Sequence, residues 1–568
     1  MANGMGSLYI GASGLQNSQN ALNTTANNLA NVDTKGYVRQ QVLFADRNYM
    51  TFDKKSAISF QQAGLGVTIA DVVHTRDVFL DKYYRTESGR QAFYDVCGKT
   101  IDEVTDFFQE LEGETFQESL EDLWVAFEEL SKQPDEEIRQ NLVVQKATLF
   151  LEQAQAVYDN TKSYQKNLNV QISDTTKKVN ELGKKIHKLN QKIMAIEAGN
   201  VETAMSLRDE RDNALDELSA LVKIDYKENV DGVVKVKIEG VSFIDEARVY
   251  EMGLHQDKIT DFLTPYWPHL SDEEQGRITE VFSVGNGISS SNNTDVGKLK
   301  ALVISRGDHV ANYLDLKDLS SLDYNRGLKN SIIMNAQAEL DQLIHTITTT
   351  VNDILCPNTT ATFRGEDGKF YENVLVWDET KGATGSDGVK PGHELFSRRG
   401  SERYTEVKCI DDGKTYYVYN PEDPNDPDTL YSMTNLEINE VLIQEEAHLP
   451  HIQPNGETAF AMAAELSAVW GRDKVTLNPD DLDMCTIKEY YQRMIIGFGT
   501  QGSVYSKQAT TLEGSTISID NKRQEVFGVS SDEELTNMIK YQNAYNAASR
   551  YINVISEMLE HIIVQLGS

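Results

Sequence analysis

Residues 1–37 read MANGMGSLYIGASGLQNSQNALNTTANNLANVDTKGY. Leu8, Leu15, Leu22 and Leu29 recur at seven-residue intervals, with Ala12 and Ala26 four residues after a leucine. This is the seam of a coiled-coil helix, whose short hydrophobic period keeps one face turned to a partner. Residues 1–32 contain no Asp, Glu, Lys or Arg, although a quarter of the whole chain is charged. Asn3, Asn17, Asn20, Asn23, Asn27, Asn28 and Asn31, with Gln16 and Gln19, form an uncharged polar face instead. Asparagine is a mediocre helix former because its side chain competes for backbone hydrogen bonds. Alone in water such a helix is marginal, so it needs a second helix to persist.

The other end of the chain offers one. Within residues 532–566, Leu535, Met538, Tyr541, Tyr545, Ala548, Ile552, Ile555, Leu559, Ile562 and Leu566 follow alternating three- and four-residue spacings, with no Pro or Gly among them. Ser530 or Ser531 can cap the start, with Glu533 or Glu534 nearby. The two heptad helices are expected to pair; the alternative is that each docks on a core of its own.

At 568 residues and 40% apolar composition the chain can bury several cores, and two to four domains are expected. A net charge of −34 argues against nucleic acid and anionic membrane as partners, since phosphate contact requires clustered Lys and Arg. No apolar run reaches membrane-spanning length. The N-terminus has neither the cationic nor the hydrophobic region of a secretory signal peptide, so export, if it occurs, is expected by another route. Cys97, Cys356, Cys409 and Cys485 are far apart, which favours free buried thiols over a disulfide framework.

In chain order, residues 40–90 read as short strands leading into a helix around 77–87. A helix-rich stretch follows from about 90 to 222, with breaks near 112–114, at Pro134 and at 199–200. Inside it, Leu168, Ile172, Val179, Leu182, Ile186, Leu189, Ile193 and Ile196 make another heptad seam. Val234, Val236 and Ile238 alternate with charged residues after Asp231-Gly232, the pattern of a hairpin. Helix is expected again over 297–319 and 331–355, then around 459–470 and from 486 to about 524. Residues 358–445 read as irregular and β, with Asp-Gly turns at 367, 387 and 412. The fold class is therefore mainly α with β insertions: paired terminal coiled-coil helices, a long-helix α domain and two β-rich insertions. The expected domains are 1–36 with 531–568; 37–225 with 289–356 and 446–530; and the insertions 226–288 and 357–445.

Asn27-Asn28-Leu29-Ala30-Asn31-Val32-Asp33-Thr34-Lys35-Gly36-Tyr37-Val38-Arg39 resembles, without a gap, the N-terminal signature of bacterial flagellar rod, hook and hook-associated proteins. Gly64-Leu65-Gly66-Val67 and Arg76-Asp77-Val78-Phe79-Leu80 look like the next block of these families, and Gly528–Glu534 with 541–548 like their C-terminal block. The long heptad helix followed by Leu207–Ser219 is similar to the hook-associated branch. The resemblance implies a structural subunit of the flagellum, exported by the flagellar type III apparatus and joining hook to filament. It implies assembly through Leu8, Leu15, Leu22 and Leu29 of the first helix and Met538, Tyr545, Ile552, Ile555, Leu559, Ile562 and Leu566 of the last. The family-motif residues are Asn28, Leu29, Asn31, Gly36, Tyr37, Arg208, Asp209, Arg211 and Asp212. The implied partners are further copies of the chain in a ring, hook protein, a second, FlgL-like junction protein toward the filament, and a FlgN-like export chaperone on the C-terminal helix. No cofactor, nucleic acid or membrane is implied.

Two other readings stand beside this one. A hook or filament subunit would share the termini, but hook proteins are largely β beyond them, and flagellin begins with a different signature and usually lacks cysteine. An enzyme housed in 357–445 is the reading from another class. Against it, the chain has no H-E-x-x-H, Walker A or Gly-x-Ser-x-Gly sequence. His448 and His451, with Glu445 and Glu446, fall between prolines and are expected in a solvated loop. Arg208/Asp212 and Asp209/Asn213 are i,i+4 neighbours, expected as surface or intersubunit ion pairs and not as catalysts.

Overall fold

The computed structural model describes residues 2–34, 36–47, 50–51, 62–74, 76–109, 116–199, 203–272, 274–282, 285 and 287–566. Lys35 and the break expected at 112–114 lie outside them. The helices, in order, are α1 (Ala2–Ala30), α2 (Val78–Gln109), α3 (Phe116–Lys132), α4 (Glu137–Glu197), α5 (Met205–Leu221), α6 (Lys298–Arg306), α7 (Ser321–Arg326), α8 (Ile332–Leu355), α9 (Glu440–Gln444), α10 (Phe460–Ala468), α11 (Ile487–Phe527) and α12 (Ser531–Leu566). Small antiparallel sheets interrupt them, so the fold is mainly α with β insertions, as the periodicity predicts. The chain divides into two compact units. Unit 1 is 1–91 with 178–251 and 510–568; unit 2 is 92–177 with 252–509.

In unit 1, α1 and α12 pack together, and strands Gln40–Asp46 and Val67–His74 pair antiparallel with an irregularity at Leu43/Phe44. A three-stranded sheet, Ile224–Glu228, Val234–Ile238 and Val241–Ile244, packs on the last turns of α4. The expected hairpin is its first pair. Asn190 on α4 extends the ladder, its Nδ2 donating to Val234 O (2.8 Å) and its Oδ1 accepting from Val234 N (3.2 Å). Along α4 the predicted seam is buried from Leu168 to Ile193. Ile196 is 42% exposed, so the seam stops a turn before the helix does.

Unit 2 is built around α8, which is buried nearly all round and therefore carries polar groups that must find partners inside. Asn352 does so by mimicking a strand edge: its Oδ1 accepts from Leu395 N and Phe396 N (3.2 Å each), and its Nδ2 donates to Phe396 O (2.7 Å). Helix does not continue to 319 as expected. It ends at Gly307, and Asn312 and Asp315 cap a separate 3₁₀ turn, Tyr313–Asp315. A four-stranded sheet joins Asn358–Arg364, Phe370–Trp377, Thr415–Tyr419 and Tyr404–Lys408. Its two Asp-Gly hairpins share one pattern, Asp-Gly-Lys-x-Tyr at 367–371 and 412–416. In each, the aspartate caps the lysine N–H and accepts from the tyrosine hydroxyl, and both tyrosine rings stack on Phe363. The four cysteines are free and buried.

Glu339 on α8 is enclosed, with Asn478 Nδ2 (3.0 Å) and Tyr324 Oη (3.3 Å) donating to it. Burial pushes its carboxyl up to about 7 in spite of these hydrogen bonds. Burial likewise pushes Asp341 and Glu394 up to about 6. Between the ordinary value of 4.5 and about 7 the folded unit keeps the Glu339 proton while the unfolded chain has released it. Its contribution to stability is therefore greatest at acid pH, falls as pH rises through that window, and levels above it. Glu339→Gln is expected to flatten the fall, by at most about 1.4 kcal/mol per pH unit. Thermal unfolding of both proteins across this window checks the sign; an unchanged slope would contradict it.

Candidate assembly site

The first helix starts from a composition that cannot sustain it alone, and the structure supplies α12 as its partner. The pair is antiparallel: Gly11 lies against Ile552, Gly14 against Ala548, and Asn28 against Glu534. The deepest line on α1 consists of Gly11, Ser18, Ala21, Thr25 and Asn28, with Gly14 beside it. Leu8, Leu15, Leu22 and Leu29 border that line and are only half-buried. Ala12 and Ala26, expected in the seam, are exposed. The reason is closeness: a Cβ on Gly11 would stand 2.6 Å from Ile552 Cγ1. Helices this near admit only small residues between them, and the leucines move to the flanks. On α12 the predicted seam holds better. Met538, Tyr541, Tyr545, Ala548, Ile552, Ile555 and Leu559 are half-buried, whereas Leu535 and Ile562 are each 45% exposed. The Leu566 side chain lies outside the described residues.

Where α1 ends, the asparagine motif becomes a hydrogen-bonded hub. Asn28 Oδ1 accepts from Tyr37 Oη (2.9 Å) and from Gln40 N (3.1 Å), and its Nδ2 donates to Gln40 O (2.9 Å). Burial, together with the Asp209 and Glu534 carboxylates, pushes the Tyr37 phenol up to about 12, so it remains a donor. Asn31 stays local, donating back to Asn27 O (2.9 Å). Gly36 has φ +78°, and a Cβ there would fall 2.0 Å from Asn213 Oδ1 on α5. Only glycine fits such a site. Next to it Val38 N donates to Asp209 Oδ2 (3.2 Å).

The charged block on α5 is not a surface helix of i,i+4 pairs, as its spacing suggests. Asp209 and Arg211 are buried. Arg208 binds Glu197 (2.7 Å) and Glu228 (2.7 Å), and Arg211 donates to Gly232 O (2.5 Å). Asp212 belongs to a closed ring of alternating charge. Arg76 binds Asp81 (2.5 Å), Asp81 binds Arg523 (2.9 Å), and Arg523 binds Asp216 (2.7 Å). Asp216 binds Arg85 (2.6 Å), Arg85 binds Asp212 (3.2 Å), and Asp212 returns to Arg76 (2.6 Å). Burial would lower the Arg85 pKa, but Asp216 and Asp212 hold it raised. Arg523 also lies over the Tyr84 ring, 4.1 Å from its centroid. The ring joins α2, α5 and α11, and sequence reading finds none of Arg85, Asp81, Asp216 or Arg523, since partners stand hundreds of positions apart. His451, expected in solvent, is buried with Nδ1 against Leu449 O (2.7 Å). Among the described residues no group of three or more His, Cys, Asp or Glu could hold a metal, and no helix is long and apolar enough to cross a membrane.

Three family descriptions match this chain: the flagellar hook-associated protein FlgK helical domain over residues 101–369, the flagella basal body rod protein over 8–37, and the flagellar basal body rod FlgEFG protein C-terminal region over 521–566. The chain is 24% identical over 566 residues to flagellar hook-associated protein 1 of Bacillus subtilis, covering 97% of this chain and 96% of that one. It is 20% identical to the Escherichia coli protein of the same name, covering 97% and 98%. With the flagellar hook protein FlgE of Borreliella burgdorferi, 37% identity is confined to 84 residues, 13% of this chain and 19% of that one. The solved structure of the flagellar hook junction protein FlgK from Burkholderia pseudomallei shares the fold, with a TM-score of 0.50 at 11% identity, over 78% of this chain and all of that one. Rod-type termini paired as helices, with a hook-associated helical domain between them, define an axial protein of the bacterial flagellum. Within that class the chain belongs to the flagellar hook-associated protein 1 family, FlgK, and is a structural component of the flagellum.

Proposed function

We propose that this chain joins the hook to the filament, assembling there as a ring through its terminal helices. The observation that carries this reading is the reach of the similarity. It spans the whole chain for hook-associated protein 1, whereas the hook-protein match is confined to a short stretch. Half-buried Leu8, Leu15, Leu22 and Leu29, and exposed Ile562, leave apolar surface on the pair for neighbouring copies, hook protein and a FlgL-like protein to cover. A charge-free α1 suits the wall of an export conduit, because fixed charges attract passing chains over a longer range than polar contacts do. The role is structural, without catalysis. The four-part division into terminal coiled coil, helix-rich domain and β-rich insertions at 226–288 and 357–445 remains our finer reading of the chain.

Export is assigned to the flagellar type III apparatus, without cleavage, with a FlgN-like chaperone on α12. Deleting 535–568 is expected to abolish capture of that chaperone while deleting 1–30 spares it; equal loss from both would contradict the assignment. Immunogold labelling of intact flagella tests the function itself. A narrow band at the hook–filament boundary is expected, and label along the filament or the hook would overturn the reading.

A further inference from the structure

In unit 2, α3, the start of α11 and the 3₁₀ turn Val469–Gly471 that follows α10 enclose a cavity of about 250 Å³. Its walls are Leu120 and Trp124 of α3, Trp470 of the turn and Tyr491 of α11. Leu120, Trp470 and Tyr491 are each buried. Their rings are themselves packed, Trp470 on Phe127 (centroids 6.2 Å apart) and Tyr491 on Phe116 (5.2 Å), so these walls are set before any ligand arrives. One ion pair lies among the lining residues. Lys488 Nζ of α11 meets Glu121 Oε1 of α3 at 3.0 Å, the side chains being 57% and 44% exposed.

We propose that this cavity binds a free aromatic amino acid, with its ring among Trp124, Trp470 and Tyr491 and its zwitterionic head on Glu121 and Lys488. The volume decides the size of the apolar part. A cavity of about 150 Å³ takes a benzene ring, and drug-sized ligands occupy about 300–1,000 Å³, so a single ring system fits between them. Three aromatic walls favour a ring over an aliphatic chain, because rings gain from offset and edge-to-face contacts. The charges decide the head group. A lone carboxylate or a lone ammonium would break the Glu121–Lys488 pair and leave one member unmatched. An α-amino acid carries both charges on one carbon, so its ammonium meets Glu121 while its carboxylate meets Lys488. Opening the pair costs little, since water already reaches both of its ends. The site contains no residue of unit 1.

Titration of the full-length chain with L-phenylalanine, 3-phenylpropionate and phenethylamine, followed by saturation-transfer NMR, tests this. L-Phenylalanine is expected to saturate the site below about 10 mM. It should bind about two- to tenfold more tightly than L-leucine. Gly471 also lines the cavity, and a Cβ built there meets nothing within 4 Å, so Gly471→Leu adds a side chain without a clash at that atom. This variant is expected to lose binding while its thermal unfolding stays that of the unmodified chain. The charge variants separate a zwitterion site from a plain apolar cavity. Lys488→Met should weaken L-phenylalanine about two- to fivefold and strengthen phenethylamine, which then meets an unpaired Glu121. Glu121→Gln should weaken L-phenylalanine equally and strengthen 3-phenylpropionate. No saturable binding of L-phenylalanine by the unmodified chain, leucine bound as tightly, undiminished binding by folded Gly471→Leu, or the same change for all three ligands in both charge variants would each overturn the site.

Discussion

Replacing Arg523 with leucine is expected to cost unit 1 about 3–5 kcal/mol, the range for breaking a buried ion pair by removing one partner. Arg523 is 5% exposed and closes the charge ring from α11, binding Asp81, itself 5% exposed, and Asp216. Without it, Asp81 keeps only Arg76 and Asp216 keeps only Arg85, so the ring carries two arginines against three aspartates in a desolvated place. The Tyr84 and Phe527 rings lose the cation lying over them as well. The contrast is Arg472, paired with Glu465 at 52% and 41% exposure. Arg472→Leu is expected to cost less than about 1 kcal/mol, because water screens the pair and already solvates both ends. Denaturant unfolding of each variant, followed by exchange of α5 amides, separates the two. Similar losses from both would mean that the ring is an ordinary surface network.

Replacing Gly11 with valine is expected to split the terminal pair. The added Cβ would stand 2.6 Å from Ile552 Cγ1 and 3.1 Å from Tyr551 Cδ1, so α12 must move or rotate. Overpacking of this kind costs about 1–3 kcal/mol. Gly6 is the control on the same helix, with nothing within 4 Å of its built Cβ. Gly6→Ala should stabilise α1 by about 0.5–1 kcal/mol, since alanine loses less backbone freedom on folding than glycine. The expected result is opposite signs: less helix by circular dichroism and no polymer by sedimentation for Gly11→Val, equal or more of both for Gly6→Ala. Polymerisation of Gly11→Val at the normal concentration would show that the close approach of α1 and α12 is dispensable.

Period and composition by themselves determined the local structure of this chain. Heptad spacing marks α4 and α12, a Pro at 134 marks the start of one helix, and Asp-Gly with alternating apolar residues marks the hairpins at 224–238 and 404–419. These signals are local because helix and strand periods, caps and turn residues act within a few positions. The thirteen-residue stretch 27–39 is also local, and it was enough to point to the flagellar families. Only the tertiary structure decided which face of α1 is deepest. The leucine row and the small-residue row share one heptad pattern, and the distance between the helix axes chooses between them. It likewise decided that Asp209 and Arg211 of α5 are buried. Arg208 and Asp212 sit one turn apart, yet Arg208 is held by Glu197 and Glu228 and Asp212 by Arg76 and Arg85, all from other parts of the chain, because partial burial offers closer and drier partners than the surface of their own helix. The six-membered charge ring and the contacts of Asn28 and Arg39 with Glu534 were illegible in the sequence for the same reason: residues 81, 216 and 523, or 28, 39 and 534, acquire their meaning only when folding brings distant parts of the chain to one place.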